Sequence, residues 1–180
     1  MGAVLPYDWF PLEVPHNVVL GEHADLWSAM AFLEYRSTRP QGVRIGRWSG
    51  VYPGVMFDLG PHGEVVIGDY CMLGEVTFAT NHRITIGDHC LVARETVLAD
   101  GPMTLPAPTA RLPDGDDAPV ISLGDNVWVG QHCLLLPGAH IGDDAIIAMG
   151  TTVDFAVESG AIIAGDPPRR VGWSRGGERR

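Results

Sequence analysis

An aliphatic residue followed by glycine returns along nearly the whole chain, at Leu20-Gly21, Ile45-Gly46, Ile67-Gly68, Ile86-Gly87, Leu123-Gly124, Ile141-Gly142 and Ala164-Gly165. The shortest interval, Gly124 to Gly142, is eighteen residues and divides into the hexads Leu123-Gly-Asp-Asn-Val-Trp, Val129-Gly-Gln-His-Cys-Leu and Leu135-Leu-Pro-Gly-Ala-His, before Ile141-Gly-Asp-Asp-Ala-Ile starts again. Six is not a helical period. An aliphatic residue at every sixth position with a small residue four further on suits a coil of three flat faces, each one short strand long, stacked in parallel on the next.

The register is tested by residues not used to find it. A side chain aimed into a narrow three-walled core must be small where the chain turns, and the column reads Ala24, Ser49, Val55, Cys71, Thr77, Cys90, Thr96, Val127, Cys133, Ala139, Ala145 and Thr151. All three cysteines fall in it. Their number is odd, no secretory signal opens the chain and no C-x-x-C spacing occurs, so they read as small buried hydrophobes and not as a disulfide or metal set.

The 180 residues form a single domain whose core is a column. No stretch approaches the roughly 18 apolar residues of a membrane span, and Pro6 stands where a myristoylation motif needs Ser or Thr. A cytoplasmic location without membrane attachment is the expectation. The formal charge of -10 would repel a phosphate backbone, so nucleic acid is not expected as a partner. All twelve basic residues are arginine, which removes Schiff-base chemistry and a P-loop lysine.

Longer intervals locate the excursions. Gly87 to Gly124 is thirty-seven residues and holds one inserted loop, about Gly101 to Pro119, with Pro102, Pro106, Pro108, Pro113 and Pro119 and an acidic tip at Asp114–Asp117. Loops longer than about 12–15 residues are usually functional or disordered, and five prolines make this one a stiff arm. The segment Phe32 to Gly42 is a second excursion, read as a bulge packed on the wall, with a part in an acceptor pocket as the alternative. Residues 1–16 form a cap in which Tyr7, Trp9, Phe10 and Pro11 with Leu12 and Val14 plug the open end. The column covers 17–170, and 171–180 are a tail.

From Ile121 to Gly172 the motifs Gly-Asp-Asn-Val-Trp-Val-Gly, Leu-Pro-Gly-Ala-His-Ile-Gly-Asp, Ala-Met-Gly-Thr-Thr-Val and Ala-Gly-Asp-Pro-Pro-Arg-Arg-Val closely resemble the C-terminal half of the hexapeptide-repeat acyltransferases, notably the xenobiotic, galactoside and sugar O-acetyltransferase branches. The resemblance implies an all-β fold, a single-stranded left-handed parallel β-helix with one long inserted loop. It also implies a homotrimer with acyl-CoA in the groove between subunits, and an acetyl or other acyl group passed to a hydroxyl or amine of a small acceptor such as a sugar. The same coil carries gamma-type carbonic anhydrases and inactive subunits. A trimeric binding scaffold and a metal enzyme are therefore the alternatives, the latter disfavoured because Pro137, not histidine, stands five residues after His132. No metal is expected.

Acyl transfer needs a general base for the acceptor proton and a donor for the developing oxyanion. The family's histidine, in a short Asp-His sequence before the long loop, maps onto Leu98-Ala-Asp-Gly-Pro-Met: Asp100 is in place, Gly101 stands at the histidine, Met103 at the galactoside branch's alternative, and Gly74 at the family asparagine one coil earlier. One coil down, Ala79-Thr-Asn-His82 aligns with Leu98–Gly101, which places Asn81 under Asp100 and His82 under the bare Gly101. Serine acetyltransferases are similar in carrying an Asp-His on a third face before their loop. His82 is the candidate base, with Asp100 or Asn81 orienting it or holding the acceptor.

For the cosubstrate, the resemblance puts Met149 and Gly150 along the pantetheine groove, Trp128 beside it and Arg170 at the CoA phosphates, a role suited to guanidinium. Asp154-Phe155, where many members have Thr-Lys, opposes phosphate binding. His23, Trp48, Tyr70, His89, Asn126 and Asp144 share the fourth hexad position and are expected as an outward ladder on one edge.

Overall fold

The computed structural model describes residues 4–100 and 119–174. Short strands alternate with tight turns and wind into three sheets, of six, eight and five strands, parallel except for the last pair of the eight-stranded one, Ala161–Ala164 and Arg169–Trp173. From Val43 to Val153 each turn of the coil lays one strand on each sheet in the same order, making a left-handed β-helix. The expected insertion, Pro119 apart, and the last six residues of the tail lie outside the described residues. Among the described residues no helix is long and apolar enough to cross a membrane.

Repetition of one hexad yields this shape because two of its positions face inward. Ile67, Cys71 and Leu73 in one coil, and Ile86, Cys90 and Val92 in the next, are all at most 2% exposed. Backbone N–H groups of each coil bond the carbonyls of the next, as in Gly68 N–H to Ile86 O at 2.8 Å and Gly87 N–H to Leu123 O at 2.9 Å. The Gly-Asp pairs lock one corner: Asp88, Asp125 and Asp143 each accept, through Oδ1, the backbone N–H of the aspartate one coil earlier at 2.7–2.9 Å. Glycine is needed there because a Cβ on Gly68 would lie 2.6 Å from the carbonyl group of Gly87.

Three corners separate the sheets. At the first, His23, Trp48, Tyr70, His89, Asn126 and Asp144 all have φ between 55° and 59°. They stack as the expected ladder, with Tyr70 over His89 at 5.1 Å and Asn126 donating to Asp144 at 2.7 Å. The second corner carries Gly54, Glu75, Glu95, His132 and Gly150 at positive φ. The third joins the five-stranded sheet back to the six-stranded one, and the insertion leaves and returns there.

Two expectations are corrected. Thr77 does not enter the core; Val76 takes the small position, and Leu73 to Phe78 is a step of five residues. The cause is Phe78, which is fully buried and stacks on Phe57 at 5.2 Å and 7°, Phe57 in turn stacking on Phe32 at 5.2 Å and 11°. A six-residue step would turn that ring to solvent. At the N-terminus Val14 is buried and Leu5 and Leu12 pack against the core, whereas Tyr7 and Trp9 are 98% and 78% exposed and plug nothing. The Phe32–Gly42 excursion packs on the wall through Phe32 and Ser37, the Ser37 hydroxyl donating to Gly63 O at 2.6 Å.

Candidate functional site

The five-residue step decides what stands at the third corner. Strands Thr77–Thr80 and Val97–Ala99 pair with Phe78 opposite Leu98 and Ala79 opposite Ala99, one place away from the hexad alignment. Thr80, not Asn81, therefore lies below Asp100, whose own N–H bonds Ala79 O at 3.0 Å. The Asn81 side chain turns to the coil beneath and accepts the N–H of His62 at 3.0 Å. Gly101 and Met103 lie outside the described residues.

Asp100 is the centre of a small network. Its side chain is 1% exposed and accepts from three directions: the Thr80 hydroxyl on Oδ2, the Asn81 N–H on Oδ1 at 3.1 Å, and His82 Nδ1 on Oδ2 at 3.1 Å. Thr80 is itself buried, and its hydroxyl oxygen accepts the N–H of His82 at 2.9 Å, which fixes where the imidazole starts. With a carboxylate as its partner, Nδ1 carries the proton and Nε2 keeps its lone pair. The imidazole is 36% exposed, so a buried acceptor-rich base holds a ring that solvent or a substrate can reach. Both stems of the insertion are tied to this turn, since Val120 N–H bonds Arg83 O at 2.8 Å.

The four residues matched to cosubstrate binding do not join this pair within one chain. Met149 and Gly150 are at the second corner, where Gly150 N–H bonds Gln131 O at 2.8 Å. Gly150 has φ +70°, and a Cβ added there would meet nothing within 4 Å, while Met149 is 69% exposed. This leaves an open ledge at which a chain-like ligand could approach backbone. Trp128, exposed on the eight-stranded sheet, lines a hollow of about 180 Å3 with Asn126, Asp144, Ile146 and Ser174. Arg170 lies on the same sheet in the antiparallel strand Arg169–Trp173, where it donates to Glu158 at 2.8 Å and stacks over Trp173 at 4.5 Å. An exposed ion pair is worth about 0–1 kcal/mol, so a phosphate could replace Glu158.

Three polar pairings escape a reading of the sequence. Thr80 is the link between Asp100 and His82, and nothing in the hexad pattern marks it while Leu73–Phe78 is counted as six. His132 Nδ1 meets Glu95 at 2.8 Å on the second corner, with both side chains more than half exposed. The Ser122 hydroxyl meets His140 Nδ1 at 2.9 Å on the six-stranded sheet. The last two link adjacent coils at equivalent places, a cue that spacing could have supplied.

Known proteins resemble this chain in sequence and in fold. The family described as bacterial transferase hexapeptide (six repeats) matches residues 121–154. A probable macrolide acetyltransferase of Lysinibacillus sphaericus is 30% identical over 112 residues, 60% of this chain and 59% of that protein. A chloramphenicol acetyltransferase of Morganella morganii is 30% identical over 146 residues, 72% of this chain and 66% of that protein. The chain thus spans less than two thirds of either relative. An N-acyltransferase from Bacillus cereus, solved with dTDP and 3-hydroxybutyryl-CoA, superposes with a TM-score of 0.66 over 88% of this chain and 85% of its own, at 17% identity, and shares the fold. Fold and repeat together define a hexapeptide-repeat β-helix protein. Within that class, the sequence matches are to hexapeptide-repeat acyltransferases, the family that this chain resembles.

Proposed function

We propose that this protein is an acyl-CoA-dependent acyltransferase, with His82 as general base and Asp100 as the residue that orients it. The observation that carries the reading is the 3.1 Å contact between His82 Nδ1 and the buried Asp100 carboxylate. It supports an imidazole held in one tautomer with Nε2 presented outward. Nε2 takes the proton of an acceptor hydroxyl or amine as its oxygen or nitrogen attacks the thioester carbonyl carbon. When the tetrahedral adduct collapses, the C–S bond breaks and the imidazolium returns the proton to the departing thiolate. Asn81 contributes its backbone N–H to the carboxylate and its side chain to the turn below, a positioning role.

The pair and the Met149–Gly150 ledge lie on different corners, which favours a site completed between subunits: one copy supplies His82 and a neighbour the ledge, Trp128 and Arg170. A homotrimer meets that requirement with three equivalent sites. The intact pairing weighs against a catalytically degenerate scaffold. Free thiol released from acetyl-CoA across a panel of sugar, amine and hydroxyl acceptors tests the reading. Acceptor-dependent release that disappears in His82→Ala is expected; release unchanged in that variant removes His82 from the mechanism. CoA alone should raise the unfolding temperature.

A further inference from the structure

The first two coils carry aromatic side chains that acyl transfer leaves unused. Tyr7 and Trp9 of the N-terminal segment and Trp27 and Tyr52 of the wall line one cleft of about 340 Å3, together with Met30 and Pro53. The volume is at the lower end of the roughly 300–1,000 Å3 of small-molecule sites. Trp27 and Tyr52 occupy the same place in consecutive coils, each just beyond the paired residues Leu26 and Val51. Their N–H groups bond Val51 O and Leu73 O, and the corresponding bonds in later coils start from Gly74, Ala93, Gly130 and Ala148. The coil itself thus needs only a glycine or alanine there. Yet Trp27 is 54% exposed and Tyr52 37%, which leaves apolar ring surface in water where nothing in the repeat requires a ring.

The segment bearing Tyr7 and Trp9 is held over this wall by Asp8. Its carboxylate accepts the Phe10 N–H and the Ser28 hydroxyl, each at 3.0 Å, and the Ala29 N–H as well. That use of both oxygens keeps the Asp8 carboxylate from the cleft, and among the described residues no charged side chain lines it. The Trp27 and Tyr52 rings sit 6.0 Å apart and 31° from parallel, so they form a wall and not a box. A cation is best held by ring faces that surround it. A wall suits a flat ligand with one apolar face.

We propose that this cleft binds the neutral pyranose ring of a carbohydrate. The C–H face of such a ring packs on the Trp27 and Tyr52 wall, Tyr7 and Trp9 stand exposed at the cleft's rim, and the tyrosine hydroxyls meet the ring's hydroxyls. This site is independent of the acyl-transfer reading, since it involves neither His82 nor the Met149–Gly150 ledge and needs no CoA.

The test is calorimetric titration of the full chain, without CoA, with methyl glycosides of glucose, galactose and N-acetylglucosamine, each repeated with Trp27→Ala, Trp27→Phe and Tyr52→Ala. Saturable binding of at least one glycoside is expected, weakened roughly tenfold or more by Trp27→Ala and by Tyr52→Ala and largely kept by Trp27→Phe. Absence of saturable binding, or equal binding by wild type and Trp27→Ala, overturns the proposal. So does saturable binding of tetramethylammonium in place of the glycosides. A fall in sedimenting mass on Trp27→Ala also overturns it, by showing that the cleft is a contact between copies. Because Trp27 is more than half exposed, the variants should unfold at the wild-type temperature, and should Trp27→Ala fail to fold, the same comparison is made with Tyr52→Ala.

Discussion

At the scale of single residues, the third corner is organised by a carboxylate that no solvent reaches. Asp100 accepts from Thr80, Asn81 and His82 at once, and the imidazole, 36% exposed, has a second ring nitrogen to offer a substrate. Asp100→Asn changes no volume but can turn an amide N–H toward Nδ1, which moves the imidazole proton to Nε2 and removes the lone pair. Acyl transfer in Asp100→Asn should therefore fall by as much as in His82→Ala, on the order of 10²–10⁴-fold, with the unfolding temperature retained. His132→Ala removes the histidine–carboxylate pair of the second corner and should leave the rate within about threefold of wild type. A larger loss there would move the base to the second corner. The sequence points to His82 and Asp100 but not to the link between them. Its hexad count puts Asn81 in the place that Thr80 fills, because one residue of register separates a side chain that reaches Asp100 from one that reaches His62.

That slip belongs to the scale of elements. The hexad is legible wherever an aliphatic residue, a glycine and a small residue fall in order, so sheets, corners and the positive-φ ladder of the first corner could all be read. It fails at Leu73–Phe78, where the alternation of Val76 and Phe78 competes with the six-residue count and aromatic stacking wins. Phe57 lies in the middle of that stack, with Phe32 and Phe78 each 5.2 Å away and no exposure of its own. Phe57→Ala should cost about 3–5 kcal/mol in denaturant unfolding and disturb the register that sets Thr80 under Asp100; a cost below about 1 kcal/mol would mean that the five-residue step does not depend on the stack. The cysteine column makes a second prediction. Burial pushes the Cys133 thiol up, whereas the hydrogen-bonded pair Cys71 and Cys90 shifts in opposite directions, Cys90 up and Cys71 down, so the pH argument rests on Cys133. An unfolded thiol ionises near about 8.5, at a lower pH than the Cys133 thiol does in the fold. The folded state then binds more protons, and stability is full below that pH and lost as pH rises above it. The unfolding temperature should drop between pH 8 and pH 10, and the drop should be smaller in Cys133→Ala, which keeps a small core residue.

At the scale of the whole molecule, a single chain is a three-edged column that holds the proposed base on one edge and the open ledge on another. The sequence could not reveal this separation, because residues close in the repeat, such as Asp100 and Trp128, are sent to different faces by the winding itself. If each site takes His82 from one subunit and Gly150 from the next, two inactive variants should rescue one another. His82→Ala lacks the base but keeps the ledge; Gly150→Trp fills the ledge, which is open beyond 4 Å, but keeps the base. Unfolded together and refolded as mixed trimers in equal amounts, they should recover about a quarter of the wild-type rate, the fraction of junctions that bring an intact base against an intact ledge. Separately refolded and then combined without exchange, they should recover none. Recovery in neither case, with both variants trimeric by sedimentation, would place base and ledge of each working site on the same chain, and the cosubstrate would then have to cross a full face of the column to reach His82.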